Sequence, residues 1–262
     1  MTATPTALYV PEGDGRFRAT ALTIGPWDPG LQHAGPPAAL LLRAAEQLSG
    51  IDPGQTLRLA YDILGPVPVG PVRVAARLAR GGRRVELIEA VLDAGDEERP
   101  LMRLHAWRMR ARDDGFGQAL RAPHRPEDGR SETARFFSEE IAYHRSLEWR
   151  FVKGSFNAPG PAAVWTRPAC ALVEGDAITP LEHLLVMSDA ASGISHELDW
   201  QRFMFVNVDL NLALMRPPSG EWMCMDAVTR LSGTGAGQCF ADLYDLDGLV
   251  GRSTQALLVD PR

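Results

Sequence analysis

ITPLEHLLVMSDAASG, residues 178–193, is the stretch whose reading decides the fold. Thr179 and Glu182 stand three apart with Pro180 between them, the signature of a capping box with proline at the first helical position. Leu181, Leu184, Leu185, Ser188 and Ser192 then recur at helical spacing and make one largely apolar face. Asp189 falls two turns after Leu181, on the shoulder of that face. Its neighbours Ser188, Ala190, Ala191, Ser192 and Gly193 are all small. Small side chains let a sheet approach a helix backbone closely and would enclose the carboxylate in a confined, partly dry place, where it becomes a candidate catalytic group. A solvated surface charge is the plainer reading of an aspartate on a helix, and this stretch alone leaves both open.

Working outward, the chain of 262 residues is long enough for one large domain or two ordinary ones, and its 45% apolar content supports a proper core. A net charge of -6 and a pI near 5.6 argue against nucleic acid as a partner, since such proteins present a basic surface. Cys170, Cys224 and Cys239 have no C-x-x-C spacing, so neither a disulfide framework nor a zinc knuckle follows. The first residues carry no basic segment followed by a long apolar one, and no apolar run approaches the ~20 residues that cross a bilayer. A soluble protein in the reducing cytoplasm is expected, with no membrane partner.

Strand patterns at 8–10 and 17–24 precede a helical pattern at 38–48, which starts after Pro36-Pro37 and stops at Gly50. Alternation then predicts strands at 57–63, 72–79, 85–92 and 101–109. Residues 113–140 are rich in Gly, Pro and charge and read as a connector, with a short helix at 132–138. The scheme then returns: strands at 145–153 and 162–167, the helix from Thr179, and strands at 203–214, 222–231, 238–245 and 250–259. The same order occurs twice at an offset of roughly 150 residues, so the expected domains are 1–112 and 141–262. Each would be one long helix wrapped by an antiparallel sheet, an α+β architecture.

Two later positions bear on Asp189. Gln255 alternates in phase with Leu257 and Val259, and an inward amide there needs a partner; a solvated strand face is the other reading. Asn207 shares its predicted face with Asp209 and Asn211, opposite Val206, Val208 and Leu210, which by itself reads as a water-facing row.

The order and motifs resemble the acyl-CoA thioesterase II (TesB-like) family, with its double hotdog fold. LQHAGPPAALLLRAAE is similar to the helix-opening G-G-Q-x-x-x-x-A-L-x-A-A segment, VMSDAASG to the S-D helix, FVNVDLNLALMRP to T-L-D-H-x-x-x-F-H-R-P, and LVGRSTQALLV to V-A-S-T-x-Q-E-G-V. The resemblance implies a hydrolytic centre of Asp, Thr and Gln holding a water. Carried over, the aspartate falls on Asp189, the glutamine on Gln255, and the threonine on Asn207, which offers an acceptor oxygen and two donors but no hydroxyl. The family histidine of L-D-H is absent from Val208-Asp209-Leu210, and the G-G-Q opening becomes Ala34-Gly35-Pro36.

The implied reaction is attack of an Asp189-activated water on a thioester carbonyl, with the oxyanion held by backbone N–H groups where Ala34-Gly35 enters the first helix. Gly35 would permit close approach of the acyl group. His33 has two readings, a donor to that carbonyl or a structural histidine at a helix entry. The substrate would be an acyl-CoA or acyl-carrier thioester, with coenzyme A as part of the substrate and no metal or other cofactor. A homodimer or higher oligomer is left open.

Other signatures are weak. His196-Glu197 lacks the second histidine of H-E-x-x-H, Gly233 to Gly237 lies between two strands, and no G-x-S-x-G elbow is present. Cys224 and Cys239 read as core thiols. The rivals are a hotdog-fold enoyl-thioester hydratase, with His196 as partner to Asp189, and a non-catalytic acyl-thioester binder.

Overall fold

Leu41, Leu42 and Ala45 line one side of a helix that begins as soon as the prolines allow it. This is α1 (Gly35–Leu48), and Pro36 and Pro37 sit where a missing N–H costs nothing. The protein is described here from a computed structural model in which residues 5–95, 99–112, 115, 117, 120–133, 135–136 and 139–262 are described. No helix among them is long and apolar enough to cross a membrane.

Before α1 come β1 (Ala7–Gly13) and β2 (Arg16–Ala19), and after it β3 (Gly54–Ile63), β4 (Pro71–Arg80), β5 (Val85–Asp93) and β6 (Met102–Arg110). The connector holds the short strands β7 (Arg130–Ser131), β8 (Arg135–Phe136) and β9 (Glu139–Glu140). β8 pairs with β9, so the helix expected at 132–138 gives way to a small ladder; residues 134, 137 and 138 lie outside the described residues. The second half runs β10 (Leu147–Ser155), β11 (Ala158–Pro168), β12 (Ala171–Val173), α2 (Pro180–Ser188), α3 (Ala191–Ile194), β13 (Phe203–Asn207), β14 (Asp209–Leu214), β15 (Met223–Leu231), β16 (Ala236–Asp245) and β17 (Gly248–Pro261).

One sheet carries both halves, in the order β12-β1-β2-β4-β5-β6-β3-β14-β17-β16-β15-β11-β10-β7 with β13 on β17. Its seam is the antiparallel pair β3 and β14, where Leu59 faces Leu212 and Tyr61 faces Leu210. β12, which the sequence pattern does not announce, crosses back to pair in parallel with β1 at the far edge. Strand alternation is plain in β5 and β6, where Ile88, Ala90, Leu104 and Ala106 are buried and the residues between them are half-buried.

The sheet curls around α1 and α2, and the two helices pack on each other. The capping box of α2 is formed as predicted: Thr179 Oγ1 accepts the Glu182 N–H at 3.2 Å, and Glu182 accepts the Thr179 N–H at 2.8 Å. Glu182 also pairs with Arg43 of α1 at 3.1 Å, so the cap ties the helices together. At the far end of α1, Glu46 pairs with Arg108 of β6 at 2.7 Å.

Where α1 starts, it crosses α2 so closely that a Cβ on Gly35 would overlap the Val186 carbonyl oxygen. The close approach that this glycine permits within the fold is to the second helix. Since the obstruction is backbone, Gly35→Ala is expected to destabilise the fold by about 1–3 kcal/mol, read from the midpoint of urea unfolding; an unchanged midpoint would show that the helices can part without cost.

Candidate active site

The helix that begins at Thr179 does not run unbroken to Gly193. It stops at Ser188, with Asp189 at its C-terminal cap, and resumes as the single turn α3. Gln255, fully buried on β17, accounts for the break. In a continuous helix the Ser192 N–H would bond to Ser188 and the Asp189 carbonyl would accept from Gly193. Instead Gln255 Oε1 accepts the Ser192 N–H at 3.1 Å and its Nε2 donates to the Asp189 carbonyl at 3.0 Å. The same amide lies 3.3 Å from Asp189 Oδ1, so both of its N–H bonds go to Asp189. Of the two readings of Gln255, the inward one holds.

Asn207 reaches Asp189 by a different device. The strand expected at 203–214 is broken at Val208 into β13 and β14. Asn207 pairs with Leu257 but Asn211 with Thr254, a shift of one residue that marks a bulge. The shift reverses which face each residue takes: Phe205 is buried before it, and Leu210 and Leu212 after it, with Val208 exposed between. Asn207 therefore turns inward and donates to Asp189 Oδ1 at 2.6 Å. The water-facing row with Asp209 and Asn211 does not form around it. Asp209 serves the bulge instead, accepting the Ala256 N–H at 2.6 Å.

His33, from the loop before α1, completes the cluster with Nδ1 2.9 Å from Asp189 Oδ2. Its ring stacks on Tyr143 at 3.7 Å between centroids and 2° between planes, and the Tyr143 hydroxyl in turn donates to the Val186 carbonyl. Gly35 N also lies 3.3 Å from His33 Nδ1. The carboxylate at 2.9 Å requires a proton on Nδ1, so the Gly35 N–H finds no acceptor there. The Ala34 N–H donates to Asp189, which places that carboxylate at the N-terminus of α1. Burial alone would push the Asp189 carboxyl up. The charge and hydrogen bond of His33, the Asn207 amide and the Ala34 N–H overcome it and hold the group below the usual carboxylate range.

His33, Asp189, Asn207 and Ser192 open on a cavity of about 400 Å³ walled by both halves. Trp27, Phe156, Trp200 and Phe205 form an aromatic wall, with Trp200 and Phe205 centroids 4.4 Å apart and Trp27 edge-on to Phe205 at 5.7 Å. Gln255 and Gly35 do not line it. Sequence reasoning missed the aromatic wall and Tyr143, because these rings lie far apart in the chain and carry no motif. His196 sits elsewhere, its ring nitrogens 3.1 Å and 3.2 Å from the carbonyls of Leu198 and Phe156. Burial raises the pKa of Cys170, to about 11, and of Cys224 and Cys239, which suits packed thiols rather than nucleophiles.

Two measurements check this arrangement. Gln255→Met keeps the volume but strands the Ser192 N–H and the Asp189 carbonyl, and should cost about 1–3 kcal/mol in urea unfolding; no loss would mean that the break does not depend on the amide. Because the folded pKa of Asp189 lies below its unfolded value of about 3.9, its stabilisation is present above that value and is lost as pH falls through the folded one. The stability difference between wild type and Asp189→Asn should thus shrink below about pH 4, and a difference that grows there would contradict the depressed pKa.

Comparison with known proteins bears on the same elements. Residues 23–109 match the family model for the acyl-CoA thioesterase N-terminal domain, and residues 118–259 that for the acyl-CoA thioesterase C-terminal domain. No curated protein matches the chain significantly. Among solved structures, a conserved protein of unknown function with hot dog fold from Alicyclobacillus acidocaldarius superposes with a TM-score of 0.75 at 16% identity, covering 95% of each chain. The tesB protein of Mycobacterium avium subs paratuberculosis gives 0.69 at 16% identity, over 98% of this chain and 97% of the other. Acyl-CoA thioesterase II TesB2 of Mycobacterium marinum gives 0.66 at 15% identity, over 97% and 96%. At these identities the structures speak for the hotdog fold alone. The two family models, spanning nearly the whole chain, carry more: the protein belongs to the acyl-CoA thioesterase family.

Proposed function

We propose that the chain hydrolyses an acyl-CoA thioester with a water activated at Asp189 and His33. The observation that carries this reading is the convergence of His33, Asn207 and Gln255 on one buried carboxylate at the wall of a mainly apolar cavity. Asp189 is ionised but weakly basic, and both of its oxygens already accept hydrogen bonds, so it orients rather than takes a proton. In the neutral ring, the form that acts as base, it keeps the proton on Nδ1, so that Nε2 is the acceptor. In the proposed step a water held by His33 Nε2 and the Asn207 carbonyl oxygen attacks the thioester carbon and passes its proton to Nε2. The backbone entry to α1 at Ala34-Gly35 is the candidate donor to the oxyanion, with Ala34 lining the cavity. Collapse breaks the C–S bond, and the imidazolium returns the proton to the departing thiolate.

In this scheme Gln255 is a positioning residue. The fold is read as two fused hotdogs, residues 1–112 and 141–262 joined by 113–140, with coenzyme A entering as part of the substrate and no further cofactor. The cytoplasm is the proposed location, and a homodimer is compatible with β12 and β7 as the outermost strands of the sheet among the described residues.

The Asp189–His33 pair gives the hydratase reading a specific observation, since an acid beside a histidine is what enoyl hydration would use. Release of free thiol from a panel of acyl-CoAs separates the two. Hydrolysis is expected, with Asp189→Asn and His33→Gln each lowering kcat/KM by about 10²–10⁴-fold. Loss of enoyl absorbance without thiol release would replace this proposal by hydration, and neither signal would replace it by binding alone.

A further inference from the structure

The cavity is lined by two polar side chains that the hydrolytic scheme does not use. His144 is 8% exposed and lines the cavity, stacked on Trp149 at 4.4 Å and edge-on to Phe156 at 4.7 Å. Among the described residues nothing hydrogen-bonds either of its ring nitrogens, and neither is among the sealed, unpartnered atoms of the fold. Burial, with the charge of nearby His33, lowers its pKa to about 3, so the ring is neutral and presents one donor and one acceptor. Ser192, also 8% exposed, gives its backbone N–H to Gln255 while its hydroxyl has no protein partner and faces the same space.

An acyl group that is hydrocarbon throughout would bury these groups unpaired, which is costly. A neutral oxygen that both donates and accepts would satisfy them. A charged group would not, because His144 stays uncharged and supplies no counter-ion. The aromatic wall favours a planar body, which can meet those rings edge-on or stacked, and a cavity of about 400 Å³ is at the small end for a ligand site.

We propose that His144 and Ser192 are specificity-determining residues that hydrogen-bond a hydroxyl group on a compact, ring-bearing acyl moiety. The inference rests on the hydrolytic reading for its reaction but not for its recognition. Asp189 and Asn207, where the thioester would lie, line the same cavity as His144 and Ser192, so one acyl group can reach both pairs.

The test compares matched pairs: phenylacetyl-CoA against para-hydroxyphenylacetyl-CoA, and cinnamoyl-CoA against para-coumaroyl-CoA, with octanoyl-CoA as the flexible reference. Wild-type protein should favour the hydroxylated member of each pair by about tenfold or more in kcat/KM. His144→Phe keeps an aromatic ring in the stack and should bring that ratio towards one. His144→Gln, which retains a donor and an acceptor, should restore part of it, and Ser192→Ala should lower it. A structural role alone would shift the melting temperature and leave the ratio intact. Equal rates within each pair, or preference for octanoyl-CoA, would overturn the inference while leaving thioester hydrolysis standing. If no thioester is hydrolysed, the hydrolytic reading falls separately. Calorimetric binding of the same pairs to wild-type protein then decides: tighter binding of the hydroxylated members supports the inference, and equal binding overturns it.

Discussion

A carboxylate taken out of water must find its charge balanced, and Asp189 finds it between two helix ends. It caps the C-terminus of α2, where the helix dipole is unfavourable to an anion, while facing the N-terminus of α1, where it is favourable. Only the close crossing at Gly35 brings that second helix near enough. The His33 ring enters from the same loop, and the ring of Tyr143, whose hydroxyl is bonded to the carbonyl that Gly35 accommodates, holds it by stacking. Helix packing, the site carboxylate and the histidine beside it are thus one arrangement.

The remaining side of Asp189 is built by the sheet. β17 delivers Gln255, whose amide takes over the hydrogen bonds of an interrupted helix, and β13 delivers Asn207 through the bulge at Val208. The interruption turns Ser192 and the Asp189 side chain to the cavity, where an unbroken helix would have continued along the sheet. An amide that replaces backbone hydrogen bonds is tied to its place by its geometry, which explains why Gln255 is buried while touching no part of the cavity.

Much of this was legible in the chain. The capping box placed the start of α2, and alternation placed most strands. Asp189, Asn207 and Gln255 were named together only through the family resemblance, since each alone has a plain reading on a surface. What stayed hidden depends on contacts between distant segments. A bulge is a mismatch between two strands, so neither Val208 nor Asp209 betrays it alone, and period-two reasoning carried across it puts Asn207 on the wrong face. The end of α2 was hidden for the same reason, because the competitor for its hydrogen bonds lies more than sixty residues away on β17. His33 could not be paired with Asp189 until the two helices were seen to cross.

The seam between β3 and β14 joins two helix–strand junctions in one continuous chain, so each can carry its own side chains. Here the end of α2 and the last strand of its half hold Asp189 and Gln255 beside an open cavity, while the end of α1 and the last strand of its own half hold the Glu46–Arg108 ion pair. The two junctions thus differ in kind: one is closed by an ion pair between side chains, and the other holds a buried carboxylate through neutral amides.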